Sequence, residues 1–228
     1  MPDRAPVYEL PYALLNPDVD ITLLQQDYRT LMQVVPPVDI VLTDPPYIGY
    51  GGMLSLEASG VLPTQPLETI WPVWSFVWQW FPLLLSRVRR ALWFTCDYRY
   101  LPFYRAGVPA ALTIQDWPLP QSEACLVHVG PRPVACPSGE AMALFRCGTD
   151  SPEAFWAGLL AATPGGPPGL VLDPFCGTGS GLRAAVRAGY RVVGIEENAE
   201  VFAALQVAMR PLTMGIVDRA DQSAYTPA

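Results

Sequence analysis

The sequence predicts an α/β fold: a mostly parallel sheet with helices on both faces. Three observations carry this expectation. Short unbroken apolar runs recur at Val38–Leu42, Leu170–Asp173 and Arg191–Ile195, helix-length segments separate the later ones, and turn signals follow the strands at Asp44-Pro45-Pro46 and after Asp173. Strands covered on both faces read as continuous β-branched runs rather than as alternations, and alternating strands and helices build parallel sheets.

Taken in order, Ile21–Leu24 reads as a short strand, Asp27–Gln33 as a helical turn and Val38–Leu42 as a strand that ends at the proline turn. A Gly/Ser loop from residue 51 leads into the most apolar stretch, Ile70–Leu85, which holds Trp71, Trp74, Trp78 and Trp80. Pro72 and Pro82 interrupt it and it falls short of the ~20 residues a spanning helix needs, so it reads as a buried or interface helix. Its tryptophans do not share one helical face, which assigns them to the core and to a subunit interface, with a second copy or with a partner subunit. Strands are expected at Ala91–Cys96, Ala111–Ile114 and Ala124–Val129, followed by an irregular tail over Gly130–Thr149. Ser151-Pro152-Glu153 reads as N-cap, first-turn proline and early carboxylate of a helix running to Ala162. After the breaker Thr163–Gly169 come the strand Leu170–Asp173, the helix Gly181–Ala188 closed by Gly189, and the strand Arg191–Ile195. A helix capped by Asn198 then runs to Met209, ahead of Pro211, and the chain is expected to fray from Asp218.

At 228 residues, 51% of them apolar, the chain fits a single domain with a substantial core. Its parts are residues 1–50, 51–150, 151–217 and a tail over 218–228. The net charge is −7 and all 14 basic residues are Arg, which excludes lysine chemistry. An acidic chain binds polyanions weakly without a local basic surface, and Arg87, Arg89 and Arg90 form the densest basic cluster, fit either for phosphate contact or for a solvated helix end. The five cysteines are widely spaced with no CxxC pair, so reduced thiols are expected and neither a disulfide frame nor a metal site. The opening Met-Pro-Asp-Arg has no signal-peptide character, which points to a cytoplasmic protein with no membrane segment. His128, the sole histidine, lies in an expected strand, where core packing outweighs chemistry.

Two constellations carry chemistry. In the first, Val171-Leu172-Asp173-Pro174-Phe175-Cys176-Gly177-Thr178-Gly179-Ser180, a buried strand enters a Gly-containing loop and a helix, and the next strand ends on Glu196 beside Glu197, Glu196 lying 19 positions after Gly177. Glycines let backbone approach a ligand closely, and a carboxylate about 20 residues on can accept hydrogen bonds from ribose hydroxyls, so the segment reads as a nucleoside-cofactor site. The full dinucleotide fingerprint is absent, because Arg183 stands where Gly or Ala is wanted for helix packing. The second is Asp44-Pro45-Pro46-Tyr47 at the carboxyl end of a strand, where α/β proteins bind ligands. An amino group on an aromatic ring is a poor nucleophile. The Asp44 carboxylate and the Pro45 carbonyl can accept its hydrogens and localise the lone pair, while Tyr47 offers a face for an extruded base.

The pair Asp-Pro-Pro-Tyr and Asp-Pro-Phe-x-Gly-x-Gly, catalytic motif before cofactor motif, resembles the permuted β class of amino DNA methyltransferases, those that modify adenine N6 or cytosine N4, in a minimal, phage-like form. The likeness extends to Leu92–Arg99 with Leu101-Pro102 as a pocket wall, to Gln121-Ser122-Glu123, and to Gly194-Ile195-Glu196. It implies a Rossmann-like, circularly permuted methyltransferase fold on a seven-stranded sheet, S-adenosyl-L-methionine as cofactor and DNA as partner. It further implies methylation of an exocyclic amino group, adenine N6 ahead of cytosine N4, with RNA or a non-catalytic subunit role as alternatives. By this resemblance Asp44, Pro45, Pro46 and Tyr47 are catalytic, and Asp27, Asp44, Asp173, Phe175, Cys176, Gly177, Thr178, Gly179, Ser180, Glu196 and Glu197 face the cofactor. Two departures stand out. Ser151-Pro152 replaces the usual Lys-Pro, and only about residues 130–150 remain for target recognition, too few for an independent DNA-reading module, which implies relaxed sequence specificity.

Overall fold

The computed structural model describes residues 20–28, 36–45, 77–120, 122, 124–145 and 151–217. Expectations for Pro46, Tyr47, Trp71, Trp74, Gln121, Glu123, the turn beyond Tyr28 and the tail from residue 218 lie outside the described residues.

In chain order the strands are β1 (Ile21–Gln25), β2 (Val38–Thr43), β3 (Val88–Asp97), β4 (Thr113–Pro118), β5 (Ala124–Gly130), β6 (Leu170–Asp173) and β7 (Arg191–Glu196). The helices are α1, described over residues 77–85, then α2 (Leu101–Gly107), α3 (Gly139–Met142), α4 (Glu153–Ala162), α5 (Ser180–Arg187) and α6 (Ala199–Val217). The strands form one seven-stranded sheet in the order β1-β7-β6-β2-β3-β5-β4. Neighbours from β1 through β3 pair in parallel, and β5 alone runs against both of its neighbours.

The apolar runs explain the central strands. Ile40 to Leu42, Ala91 to Phe94 and Val171 to Leu172 are fully enclosed, because helices cover both faces. One face packs Trp80, Phe81 and Leu84 of α1 with Leu101 and Tyr104 of α2 against Val41, Leu92, Phe94 and Val127. The other packs α4, α5 and α6 through Phe155, Leu159, Leu182, Leu205 and Met209 against Ile40, Leu42, Trp93 and Val192.

Four details depart from expectation. The fourth strand lies at Thr113–Pro118 rather than Ala111–Ile114. The expected irregular tail contains the single turn α3, whose Ser138 side chain accepts from the Ala141 N–H. Pro152, not Ser151, occupies the N-cap of α4, and Ser151 is buried instead. Helix α6 does not stop at Met209 but carries Pro211 inside it. A proline there forfeits one i→i−4 hydrogen bond, and the helix continues to Val217 regardless. Its start is as expected, since the Asn198 side chain accepts from the N–H groups of Glu200 and Val201 at 2.9 and 3.1 Å.

Candidate functional site

The order of the strands fixes where a ligand can sit. From β2 the chain builds outward to β3, and from β6 it builds the opposite way to β7, so the sheet reverses between β2 and β6. Open α/β sheets bind ligands in the crevice at the carboxyl ends of the strands flanking such a reversal. Asp44 follows directly on β2 and Asp173 closes β6. The two sequence constellations, 129 positions apart in the chain, thus meet at one crevice.

A buried hydrogen bond ties them. Thr43 Oγ1 donates to Asp173 Oδ1 at 2.8 Å, and the same oxygen accepts the N–H of Phe175 at 3.1 Å. Asp173 is therefore held from both sides, once by the neighbouring strand and once by the loop it begins. Asp44 is half-buried, and Thr95 of β3 donates its hydroxyl to the Asp44 carboxylate. Pro45 is buried.

The loop after β6 shows two uses of glycine. Gly177 has φ +51°, and a Cβ there would meet nothing within 4 Å, so the space beside it is open. Gly179 has φ +83°, a left-handed backbone that requires glycine, and a Cβ there would also press on the Leu205 side chain of α6. The Gly177 N–H donates to Glu196 Oε2 at 3.1 Å, while Glu196 Oε1 accepts the Asn198 N–H at 2.7 Å. Both carboxylate oxygens are thereby oriented by backbone at the end of β7.

The remaining candidates divide. Phe175 is half-buried, with its ring 4.7 Å from Tyr28 and 5.7 Å from Trp80, so helix α1 reaches the loop after β6 through Trp80. Trp78, on the same helix, is 42% exposed. Cys176 turns inward. Its N–H goes to Ile195 O at 3.1 Å, and burial, reinforced by Asp173 and Glu196, pushes its thiol far above the usual range. Ser180 is buried with its Oγ accepting from Trp156 Nε1 at 2.9 Å, a contact that docks α5 on α4. The Thr178 carbonyl takes Arg183 Nη1 at 2.7 Å, which accounts for an arginine where a dinucleotide site wants Gly or Ala. Asp27 lies half-buried just past the end of β1, and Glu197 is exposed. Thr43 and Thr95 were not among the sequence candidates. The only available signal was a hydroxyl closing an apolar central run.

The basic cluster lies elsewhere. Arg89 and Arg90 sit at the amino end of β3, six and five residues before Thr95, which places them about 17–20 Å along the strand from Asp44. Arg90 donates to the carbonyls of Pro164 and Gly166. It braces that turn, and Arg89 and Arg90 stand in a strand rather than at the solvated helix end considered from the sequence. Among the described residues no helix is long and apolar enough to cross a membrane.

No protein-family model and no curated protein matches the sequence. Solved structures do match by shape. M1.HpyAVI in complex with SAM is 18% identical, with a TM-score of 0.53 over 82% of this chain and 98% of its own. TTHA0409 from Thermus thermophilus, complexed with S-adenosyl-L-methionine, is 18% identical, with a TM-score of 0.54 over 85% of this chain and 96% of its own. PvuII DNA methyltransferase, cytosine-N4-specific, is 11% identical, with a TM-score of 0.58 over 88% of this chain and 92% of its own. The likeness shows the fold: this chain has the Rossmann-like, seven-stranded α/β architecture of methyltransferases.

Proposed function

We propose that the chain is a single-domain, S-adenosyl-L-methionine-dependent DNA methyltransferase of the permuted amino-methylating class, acting on adenine N6 with relaxed sequence specificity. The observation that carries this reading is the meeting of Asp44 and Asp173 at one crevice, joined through the Thr43–Asp173 hydrogen bond. The cofactor named for two of the structural neighbours suits this crevice chemically. It is a nucleoside carrying a sulfonium and an ammonium. Gly177 leaves open space for its approach, Glu196 offers carboxylate oxygens that would accept from ribose hydroxyls, and Asp173 brings a further negative charge. When bound, the cofactor supplies an activated methyl group.

The chain's own residues do the rest. Asp44 and the Pro45 carbonyl accept hydrogens of the base amino group and localise its lone pair. Tyr47 stacks on the extruded base, and the proton released on alkylation leaves to water. Alignment of nucleophile and methyl provides most of the acceleration, so neither lysine nor histidine is needed. DNA is the partner, and the Trp78 face of α1 is where a second copy or a partner subunit would compensate for the short target-recognition region.

Cytosine N4 is the second reading, favoured by the TM-score of 0.58 to a cytosine-N4 enzyme. Purified chain incubated with tritiated cofactor and unmethylated DNA, followed by nucleoside mass spectrometry, tests both. N6-methyladenine is expected, and N4-methylcytosine would select the second reading. Absence of label on every nucleic acid offered would sink the enzyme reading, and a strict preference for one short site would remove the relaxed specificity.

A further inference from the structure

Thr95 is enclosed completely within the sheet. Thr43 of β2 pairs with Phe94 of β3, so the residue after each, Asp44 and Thr95, lie abreast. The Thr95 hydroxyl donates to Asp44 Oδ1 across that step. The two partners are mounted very differently. Thr95 belongs to a strand paired on both sides, with Leu126 of β5 as its own partner. Asp44 stands one residue beyond the end of β2 and runs into a proline, which brings no N–H to a ladder. The member held within a strand on both sides supplies the proton, and the member just beyond its strand accepts it.

We infer that Thr95 is a positioning residue: it fixes the orientation of the Asp44 carboxylate toward the base amino group without itself touching base or cofactor. The inference rests on the proposed function. An acceptor must lie in line with an N–H to draw its hydrogen, and a carboxylate free to rotate about two side-chain bonds satisfies that alignment only part of the time. Apart from Asp27 and Asp44 itself, the proposed cofactor-facing groups stand at the ends of β6 and β7 and just beyond them, across the topological switch from Thr95, so the larger consequence falls on the chemical step and the smaller on cofactor binding.

Valine tests this directly, because it matches threonine in shape and β-branching but donates nothing. Serine keeps the donor and loses a methyl. Methyl transfer is measured on the full chain as wild type, Thr95→Val and Thr95→Ser, with cofactor affinity by calorimetry and folding by circular dichroism. Thr95→Val is expected to lower kcat by about tenfold to a hundredfold, the range of a sub-ångström to ångström misplacement, with cofactor Kd within about threefold. Thr95→Ser is expected to recover most of kcat. Should the valine variant not fold, Thr95→Ala against Thr95→Ser makes the same comparison. An active wild type with unchanged kcat in Thr95→Val, or a serine variant as impaired as the valine one, overturns the role of Thr95 and leaves the function standing. A wild type that transfers no methyl group overturns both.

Discussion

The two ends of the sheet use the same kinds of atoms to opposite effect. At the carboxyl end, Asp44, Asp173 and Glu196 gather around one crevice, each held by donors from a neighbouring element: Thr95, then Thr43 with the Phe175 N–H, then the N–H groups of Gly177 and Asn198. At the amino end, Arg90 closes the Pro164–Gly166 turn through its carbonyls, and Asp39 accepts the Leu170 N–H at 2.8 Å. The first arrangement collects charge of one sign, which costs stability by itself and suits a cationic ligand. The second satisfies the backbone of a turn that would otherwise leave carbonyls without donors. One end carries the proposed binding site and the other holds the fold.

The sharpest way to break this contrast is Asp44→Ala. On the proposed function, removing this preorganised polar group is expected to lower methyl transfer by about a hundredfold to a thousandfold. The melting temperature should fall by no more than a few degrees, since the enclosed Thr95 hydroxyl loses its acceptor while one of the like charges goes. Filter-binding of tritiated DNA and a thermal scan check the two halves, and a large fall in melting temperature would erase the distinction.

His128 offers the next largest effect, on the holding side. It sits on β5 near the Arg90 backbone, enclosed, with its ring 4.6 Å from Trp93, and neither ring nitrogen has a hydrogen-bond partner among the described residues. Burial lowers its pKa from 6.5 to about 4. In the fold the imidazole is neutral at pH 6, whereas the unfolded chain takes up a proton there. Stability is therefore fully present above pH 6.5 and lost as pH falls toward 4, by about 3 kcal/mol for the whole shift. Urea titrations at pH 7.5 and 4.5 should show a smaller acid loss in His128→Leu than in wild type. Equal losses would mean that the carboxylates, not His128, set the acid limit.

Arg90→Met should cost about 2 kcal/mol, the scale of hydrogen bonds from a charged donor, and leave kcat of the folded fraction unchanged. The methionine keeps much of the apolar stem. A loss of rate at saturating cofactor with no loss of stability would place the amino end in the chemistry and contradict the division.

How legible these regions were in the sequence follows from the same physics. Strands such as Val38–Thr43 and Leu170–Asp173 are covered on both faces, so their composition alone gives them away. Among the described strands β4 pairs only with β5, and it is half-exposed along Thr113–Trp117, with Gln115 and Asp116 in its middle, so no unbroken run fixed its bounds and the expected Ala111–Ile114 overlaps only its start. Pro211 is a strong stop signal, yet a solvent-facing proline removes one hydrogen bond and the rest of α6 outweighs it. Asp44 and Asp173 were readable because each stands at a strand end before a proline, and Glu196 because it closes the strand that follows the glycine loop, 19 positions after Gly177. The threonines that hold them were not, because Thr43 and Thr95 acquire their roles only from the β2–β3 and β2–β6 registers, which no local pattern encodes.

Glu196 is where the two ends' principles overlap, and its effects are the smallest and most divided. Its two oxygens serve two separate backbone N–H groups, Gly177 and Asn198, and the same carboxylate is the proposed ribose acceptor. Glutamine has one carbonyl oxygen, so Glu196→Gln leaves one of those N–H groups facing an amide donor. The loop should loosen by about 1 kcal/mol, and cofactor affinity should fall by about tenfold. Asp44→Ala and Glu196→Gln are then told apart by ligand linkage. A ligand that binds only the folded chain raises its stability by RT ln(1 + [L]/Kd), so the thermal shift given by a fixed cofactor concentration shrinks as Kd rises. Asp44→Ala should keep nearly the full shift while losing the rate, and Glu196→Gln should keep most of the rate at saturation while losing part of the shift. The reverse pattern would exchange the roles of β2 and β7 at the crevice.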